Sequence, residues 1–337
     1  MKKNIAKLSA ASLTALMAVS AAAFPAMAGG TEYHVGICQL VQHVALDAAT
    51  KGFEDKLKTL VEANGDTVVF DEQNAAGDSA TCSTICNTFV SDGVDLILAN
   101  ATPALQAAQA STNEIPILGT SVTDYATALQ ISDWKGTTGT NISGTSDLPP
   151  LDQQAALFTE LLPDAKNVGI LYCSAEANSK YQSDVITPLL EKEGFTVSEY
   201  TFADSNDLQS IANQACSEND AIYVPTDNTV ASNAAIIKEA SLSAKVPVIA
   251  GEEGICSGCG IATLSISYKA LGEKTGEMAA DVLLNGADVS KMEVEFAPEF
   301  VKKYNPELCE KFGITVPDGY VSVAAQAETE TEAETEA

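Results

Sequence analysis

The chain contains no arginine: all 18 of its basic residues are lysines, set against 46 aspartates and glutamates in 337 residues, and the formal net charge is −28. Proteins bind nucleic-acid phosphates through clustered lysine and arginine, so this composition argues against a nucleic-acid partner. The guanidinium fork that grips a carboxylate or phosphate is also missing. Any anion bound here would have to be held by backbone N–H groups, hydroxyls, amides or lysine.

Histidine and aromatic residues are scarce: there are two histidines and one tryptophan, and aromatics make up 6% of the chain. His34 and His43 lie on and just after the first predicted strand, and no G-x-S-x-G nucleophile elbow is present. A serine–histidine hydrolase is therefore not indicated, although paired carboxylates leave acid–base chemistry open. Sugar sites usually stack rings on aromatic side chains, so a sugar or nucleoside ligand is disfavoured but stays open as an alternative.

Long hydrophobic runs are confined to the N-terminus. Three early lysines precede an apolar stretch at 8–24, and Ala26-Met27-Ala28 fits the small-x-small cleavage rule, which predicts a signal peptide. The apolar stretch is short and rich in alanine and serine for a membrane anchor. We therefore expect an exported protein that is soluble at the outer face of the cytoplasmic membrane.

Eight cysteines give two open interpretations. An even number in an exported chain suggests disulfides, and the close pairs Cys82/Cys86 and Cys256/Cys259 favour local ones, but free buried thiols are equally compatible. Zinc sites often combine cysteine with histidine ligands, and this chain has only two histidines, which does not favour zinc. A redox pair normally opens a helix after a strand, whereas the segment at 256–259 leads into an apolar run that resembles a loop entering a strand. We predict no metal and no cofactor.

The chain repeats one pattern. "VGICQL" at Val35 and "VGILYC" at Val168 each begin a series of short apolar runs that alternate with helical patterns, so each half reads β-α-β-α-β-α-β. Continuous apolar strands between helices imply a parallel sheet covered on both faces. The predicted fold is α/β, with two Rossmann-like lobes.

The expected organisation follows from this repeat. We predict a signal peptide at 1–28, a first lobe at 29–145 plus about 254–290, a second lobe at 146–253 plus about 291–321, and a disordered acidic tail at 322–337.

Polar loops follow the predicted strands in both lobes. Open parallel sheets bind ligands beyond the carboxyl ends of their strands, so a cleft lined by these loops is the expected site. Its candidate ligand-binding residues are Gln39, Thr102, Ser121 and Thr123 of the first lobe, and Glu176, Asn178, Ser179, Asp227, Asn228 and Glu253 of the second. No catalytic residue is predicted.

Two of these loops suggest a zwitterionic ligand. In "AIYVPTDNTVASN" the apolar strand ends at Asp227, which is either an N-cap or the partner of a ligand ammonium group. Asn178 and Ser179 lie at a predicted helix N-terminus, which either caps that helix or binds a carboxylate. A free amino acid would satisfy both sites. Its side chain would then lie against the opposite lobe, at Leu40, Val41, Ala101 or Tyr125.

The sequence resembles the substrate-binding proteins of ABC importers, in the group associated with tryptophan and tyrosine uptake. Matching phrases run in order over roughly residues 33–320 and include "VGICQLVQHVALDAATKGFEDKL", "NISGTSD", "VGILYCSAEANSKYQ" and "DAIYVPTDNTVAS". The resemblance implies a type I periplasmic-binding-protein fold with three crossovers, the first at "ISGTSD", and a cleft that closes about a hinge.

The same resemblance implies a function and a partner. It indicates capture of a free amino acid, aromatic or hydrophobic, by a monomer that delivers it to a membrane permease. It also implies that Gln39, Thr123 and Glu176 line the cleft beside Asn178, Ser179, Asp227 and Asn228. Two features depart from the family pattern: several of the cysteines, and Tyr125 where proline is usual.

Overall fold

The computed structural model describes residues 30–297 and 299–323. In chain order, the first lobe contains β1 (Glu32–Gln39), α1 (Val44–Ala63), β2 (Thr67–Asn74), α2 (Ser79–Asp92), β3 (Leu96–Asn100), α3 (Thr102–Ser111), β4 (Ile117–Val122), α4 (Tyr125–Ala128) and β5 (Ile142–Ser146). The second lobe then contains α5 (Leu151–Leu161), β6 (Asn167–Cys173), α6 (Ala177–Lys192), β7 (Thr196–Phe202), α7 (Ser205–Glu218), β8 (Ala221–Val224), α8 (Asn228–Ser232), α9 (Ala234–Ala244), β9 (Val248–Ala250), α10 (Glu253–Gly258) and β10 (Ala262–Ser265). The chain returns to the first lobe for α11 (Tyr268–Asn285) and β11 (Glu295–Phe296), and to the second for β12 (Val301–Tyr304), α12 (Pro306–Phe312) and β13 (Val321–Ser322).

Each lobe is built on one sheet. The first has the strand order β11-β5-β4-β3-β1-β2 and the second β13-β12-β10-β9-β8-β6-β7. The strand pairs are parallel except β10 with β12. The predicted pair of parallel α/β lobes is therefore confirmed.

The central strands are buried and largely apolar because helices cover both of their faces. All residues of β3 and of β8 are buried. Ile97 and Leu98, adjacent in β3, belong to separate hydrophobic clusters on the two faces of the first sheet. Ile222 and Tyr223 divide in the same way in the second lobe. Such strands can expose polar groups only where they end, which brings the polar loops together at the cleft.

The chain crosses between the lobes three times: between β5 and α5, between β10 and α11, and between β11 and β12. The second and third crossings come later than the predicted boundaries. Residues 254–265 stay in the second lobe because β10 pairs with β9, and residues 291–296 stay in the first because β11 pairs with β5. An apolar run reveals a buried strand, but not which of two similar sheets receives it.

Helix α11 positions one end of the cleft. Ser267 caps it by accepting a hydrogen bond from the N–H of Ala270 at 3.2 Å, so Tyr268 is the first helical residue after the crossing. The helix packs closely on α1: a Cβ on Gly272 would lie 1.9 Å from the carbonyl oxygen of Ala49. This contact holds Tyr268 beside the N-terminus of α1.

The predicted signal peptide and the acidic tail beyond residue 323 lie outside the described residues. Ser322, assigned to the tail, instead belongs to β13 and pairs with β12. Across the residues that the structure does describe, none of the helices combines the length and apolar character needed to cross a membrane.

Candidate ligand-binding site

A cavity of about 10 Å³, room for about one water molecule, lies between the lobes at the carboxyl ends of their parallel strands. This is far below the roughly 300–1,000 Å³ usual for ligand pockets, so the lining side chains would have to shift to admit a solute. The cavity is lined by His43, Leu46, Ser121, Thr123, Asp147, Asn178, Thr226, Asp227, Asn228, Ala231, Glu252 and Tyr268.

Two hydrogen bonds join the lobes across this cavity. His43 Nε2 of the first lobe lies 3.2 Å from Asn228 Oδ1 of the second. Gln182 Nε2 of the second lobe donates to Thr123 Oγ1 of the first at 3.3 Å. The lobes are therefore in contact, and the structure represents a closed form of the cleft.

Asp227 is both a helix cap and a wall of the cavity. Its Oδ1 accepts from the N–H of Val230 at 2.8 Å, which caps α8. Its Oδ2 accepts from the N–H of Cys173 at 2.7 Å and from Ser179 Oγ at 2.8 Å. Burial, reinforced by the nearby Glu176 carboxylate, raises the pKa of Asp227 to about 8 despite these bonds. The capping and ligand-facing interpretations are thus compatible.

Glu176 organises the loops around Asp227. One carboxylate oxygen accepts from the N–H and the amide of Asn228 at 3.0 and 2.7 Å and from Asn178 Nδ2 at 3.0 Å. The other accepts from the N–H and the hydroxyl of Thr229, both at 2.8 Å. Glu176 contacts a neighbouring groove rather than the cavity, and the four bonds from Asn228 and Thr229 tie the β6–α6 loop to the start of α8.

Asp147 is a buried carboxylate that caps no helix. It follows β5 at the first crossover and is 5% exposed. Its Oδ1 accepts from Thr123 Oγ1 at 3.1 Å and its Oδ2 from Tyr268 Oη at 2.9 Å. Burial raises the pKa of Asp147 above its usual range, although both hydroxyls oppose this shift.

Glu252, rather than the predicted Glu253, faces the cavity. Glu252 is the N-cap of α10, where its carboxylate accepts from the N–H groups of Gly254 and Ile255, and burial raises its pKa to about 7. Glu253 points away and forms an ion pair with the buried Lys303. Adjacent glutamates have opposite roles because the helix begins between them.

Three polar atoms around the cavity are buried without a hydrogen-bond partner among the described residues: Ser121 Oγ, Asn178 Oδ1 and His43 Nδ1. Ser121 has φ of 54°, a left-handed backbone conformation that is costly for a serine. His43 Nε2 faces an acceptor oxygen and so carries the proton, which leaves Nδ1 as an acceptor. Buried polar groups normally have partners, so these atoms mark positions for ligand contacts.

The remaining predicted residues lie behind the cavity wall. Gln39 accepts from Thr50 Oγ1 at 2.6 Å and donates to Asp47 Oδ1 at 2.7 Å, a network that holds the first turns of α1. Thr102 is buried at the start of α3. The hydroxyl of Ser179 donates its hydrogen bond to Asp227. None of the three lines the cavity.

The side-chain donors at the predicted carboxylate site on α6 are engaged within the second lobe. The helix starts at Ala177 with Glu176 as its N-cap, so neither Asn178 nor Ser179 begins it. Asn178 Nδ2 donates within its own lobe to Glu176 and to the carbonyl oxygen of Thr226 at 2.9 Å. Of the Asn178 side chain only the acceptor Oδ1 is left without a partner among the described residues, whereas the first backbone N–H groups of α6 receive no side-chain cap from Glu176.

A groove of about 200 Å³ adjoins the cavity and shares Asn228 with it. Its apolar walls include Leu40, Val41 and Pro103 from the first lobe and Ala175 and Ala203 from the second. Two of the four positions expected to meet a ligand side chain, Leu40 and Val41, are therefore in the cleft.

The other two expected side-chain contacts, Ala101 and Tyr125, belong to the core. Tyr125 donates to the carbonyl oxygen of Thr145 at 3.1 Å beneath the sheet. It fits there because a Cβ on Gly144 would lie 2.5 Å from its hydroxyl oxygen and 2.1 Å from the carbonyl oxygen of Gly119.

The eight cysteines are buried free thiols. Cys82 and Cys86 are four apart on α2, and neither is bonded to the other. Cys256 lies in a helix that follows a strand, contrary to the expected loop. In residues 30–297 and 299–323, no group of three or more histidine, cysteine, aspartate or glutamate residues could hold a metal ion.

The family model of the ABC transporter substrate binding protein matches residues 34–328 of this chain. The chain belongs to the ABC transporter substrate-binding protein family. A tyrosine-binding protein of Clostridioides difficile (strain R20291) is 39% identical over 250 residues, which cover 74% of this chain and 72% of the relative. The matches confirm the resemblance inferred from the sequence.

Two solved structures of similar proteins differ in state. A Streptococcus pneumoniae ABC domain in complex with L-Trp has a TM-score of 0.80 at 32% identity and covers 86% of this chain and 97% of its own. The ligand-free, open structure of a Clostridium difficile substrate-binding protein with adhesive properties has a TM-score of 0.64 at 38% identity, covering 86% and 99%. The better fit to the complex, despite its lower identity, agrees with closed lobes here. The predicted type I periplasmic-binding-protein architecture is confirmed.

Several cavity residues were not among the predicted contacts, including Asp147, Glu252 and Tyr268. Asp147 is the last residue of the quoted "NISGTSD" phrase, and the rule that ligands bind at strand ends could have identified it, because it directly follows β5. The same rule points less directly to Tyr268, because Tyr268 does not follow a strand directly but lies at the start of α11.

Proposed function

We propose that this substrate-binding protein captures a free aromatic amino acid between its lobes and delivers it to a membrane permease, acting as an exported monomer without catalytic activity. The observation that carries the proposal is a closed cavity whose charged side chains are all carboxylates. The ligands named for its relatives, tyrosine and L-Trp, support an amino acid with a large ring.

The charge of the cavity supports an ammonium group in the ligand. Asp147, Asp227 and Glu252 line it, and no lysine lies among the described lining residues. Burial raises the pKa of each of these carboxyl groups. A ligand cation would relieve that cost by supplying the missing opposite charge in a low-dielectric site.

The ligand carboxylate would be held by the first lobe. The unpartnered hydroxyl of Ser121 is the available donor, and its strained backbone fixes that hydroxyl at the end of β4. This is an alternative to the carboxylate site expected at the N-terminus of α6, where the side-chain donors of Asn178 and Ser179 are engaged within the second lobe. The zwitterion would then bridge the two lobes, so binding would favour closure.

The ring of the ligand would extend into the apolar groove beside the cavity. Leu40, Val41 and Pro103 supply its apolar walls on the first lobe. The alternative of a sugar or nucleoside is not favoured, because sugar sites typically stack their ligand on aromatic rings. Tyr268 is the only phenyl or indole ring among the described lining residues of the cavity. Trp134 packs against the core of the first lobe instead.

A thermal-shift screen of the twenty amino acids, nucleosides and common sugars tests the proposal. A ligand present at 100 times its dissociation constant should stabilise the protein by about 2.7 kcal/mol. We expect L-tyrosine or L-tryptophan to give the largest shift, with the ligand recovered unchanged. A shift with sugars alone, or turnover of the ligand, would contradict the proposal.

The groove can be tested separately. Ala175 and Ala203 are exposed in it, so Ala175→Phe should fold normally but fill the space meant for a ring. Binding of aromatic amino acids should weaken much more than binding of alanine or serine. Equal weakening for all of them would place the ring elsewhere.

A further inference from the structure

Of the three carboxylates around the cavity, two have a structural reason to be there. Asp227 caps α8 and Glu252 caps α10, in each case through backbone N–H groups. Capping by acidic side chains is common and stabilising. Asp147 caps nothing, and its only side-chain partners among the described residues are two hydroxyls.

Those two hydroxyls do not balance the negative charge of an ionised Asp147. A carboxylate has about four acceptor positions, and two are used here. No lysine or histidine forms a salt bridge with it within the described residues. A buried carboxylate without a cation is costly and persists where the partner is supplied from outside.

The position of Asp147 connects it to both lobes. It begins the first crossover, and its partner Tyr268 begins α11 directly after the second. Its other partner, Thr123, also accepts a hydrogen bond from Gln182 of the second lobe at 3.3 Å. Gln182 therefore donates to Thr123, which donates to Asp147, so the closing contact between the lobes ends on this carboxylate.

We propose that Asp147 is the residue that binds the ligand ammonium group and couples ligand binding to lobe closure, with Thr123 and Tyr268 as positioning residues. This inference rests on the proposed amino-acid function and deepens it. Asp227 then serves mainly to hold the loops of the second lobe together, although it also faces the cavity.

The test compares ligands with and without the ammonium group. Wild-type protein and the variants Asp147→Asn, Asp227→Asn and Asp92→Asn are titrated calorimetrically with L-tryptophan and 3-indolepropionic acid, and with L-tyrosine and 3-(4-hydroxyphenyl)propionic acid. Asp92 is exposed at the end of α2, so Asp92→Asn is a control with the same change in charge. Thermal unfolding of each variant without ligand is measured in parallel.

Wild type and Asp92→Asn should prefer each amino acid over its analogue. A charge-assisted hydrogen bond corresponds to roughly a 10- to 100-fold preference. Asp147→Asn should lose most of that preference while unfolding at an equal or higher temperature, because a buried unpaired carboxyl is removed. Asp227→Asn should unfold at a lower temperature and lose much less of the preference than Asp147→Asn. Tyr268→Phe should reduce the preference for the amino acid only in part.

Two results would overturn different claims. If Asp147→Asn keeps the full preference, the ammonium binds elsewhere and this inference fails while the proposed function stands. If wild type binds none of these amino acids, either by calorimetry or in the thermal-shift screen, the proposed function fails and this inference with it.

Discussion

Amino-acid binding should release protons, and affinity should therefore increase with pH. The carboxyl groups of Asp147, Asp227 and Glu252 have raised pKa values in the closed cavity, chiefly through burial. A ligand ammonium group favours their ionised forms. Below the pKa values of these groups, part of the binding free energy is used to remove a proton, and this cost disappears as the pH rises.

The magnitude follows from two of these pKa values. If the proton leaves Glu252, whose pKa is about 7, affinity should increase roughly 10-fold between pH 6 and pH 8. If it leaves Asp227, whose pKa is about 8, the increase should be roughly 50-fold. The charged neighbours that raise these pKa values further are Glu176 for Asp227, and Glu253 and Asp147 for Glu252. His43 is kept neutral because burial lowers its pKa.

Isothermal titration calorimetry measures this directly. Titrations with L-tyrosine or L-tryptophan in buffers of different ionisation enthalpy give the number of protons released per ligand. At pH 7 this number should be about one half if the proton leaves Glu252 and about 0.9 if it leaves Asp227. The same ligands lacking the ammonium group should release none. An affinity that is constant or falls from pH 6 to pH 8, with no proton exchange, would refute the electrostatic reasoning.

Other predictions concern stability and the cysteines. Without ligand, the protein should become less stable as the pH rises from about 4 to about 8, because the folded state holds the protons of Asp227 and Glu252 more tightly than the unfolded chain; urea titrations showing the reverse would contradict those raised pKa values. Gly144→Ala should destabilise the first lobe by several kcal/mol, since its Cβ would overlap the carbonyl oxygen of Gly119 at φ of 141°, and an unchanged melting temperature would contradict this packing. Glu253→Gln should cost about 3–5 kcal/mol by leaving the buried Lys303 unpaired but leave ligand affinity unchanged, so a selective loss of binding would restore Glu253 to the site. Iodoacetamide should modify none of the eight cysteines in the native state and all eight after unfolding, and protection that survives denaturation without reductant would indicate disulfides.

The fold was predictable because its signal is local and repeated. Short apolar runs such as β3 and β8, each followed by a polar loop and a helix, specify buried parallel strands without reference to the rest of the chain. The assignment of β10 and β11 to their lobes was not predictable in this way. It depends on which of two similar sheets each strand joins. Strand β10 pairs with β9, which precedes it closely, and β11 pairs with β5, which lies much earlier in the chain.

The site was predictable at the level of loops but not of side chains. Five of the predicted residues, each at or near the end of a strand, line one cavity: Ser121, Thr123, Asn178, Asp227 and Asn228. Spacing could not separate Glu252 from Glu253, because that choice depends on the residue at which α10 begins.

Hydrogen bonding accounts for a second group of differences. Gln39 and Ser179 have polar side chains at the right loops, yet their bonds lie within a lobe. Asp147 and Tyr268 meet only because two crossovers lie side by side, which no local pattern encodes.

A crystal structure grown with L-tryptophan or L-tyrosine tests the central claim most directly. The account predicts one amino acid enclosed between the lobes, with its ammonium nitrogen within hydrogen-bond distance of Asp147 and its ring in the groove beside Leu40 and Val41. A ligand that contacts one lobe only, or an uncharged solute bound in the cavity without touching any of its carboxylates, would contradict it.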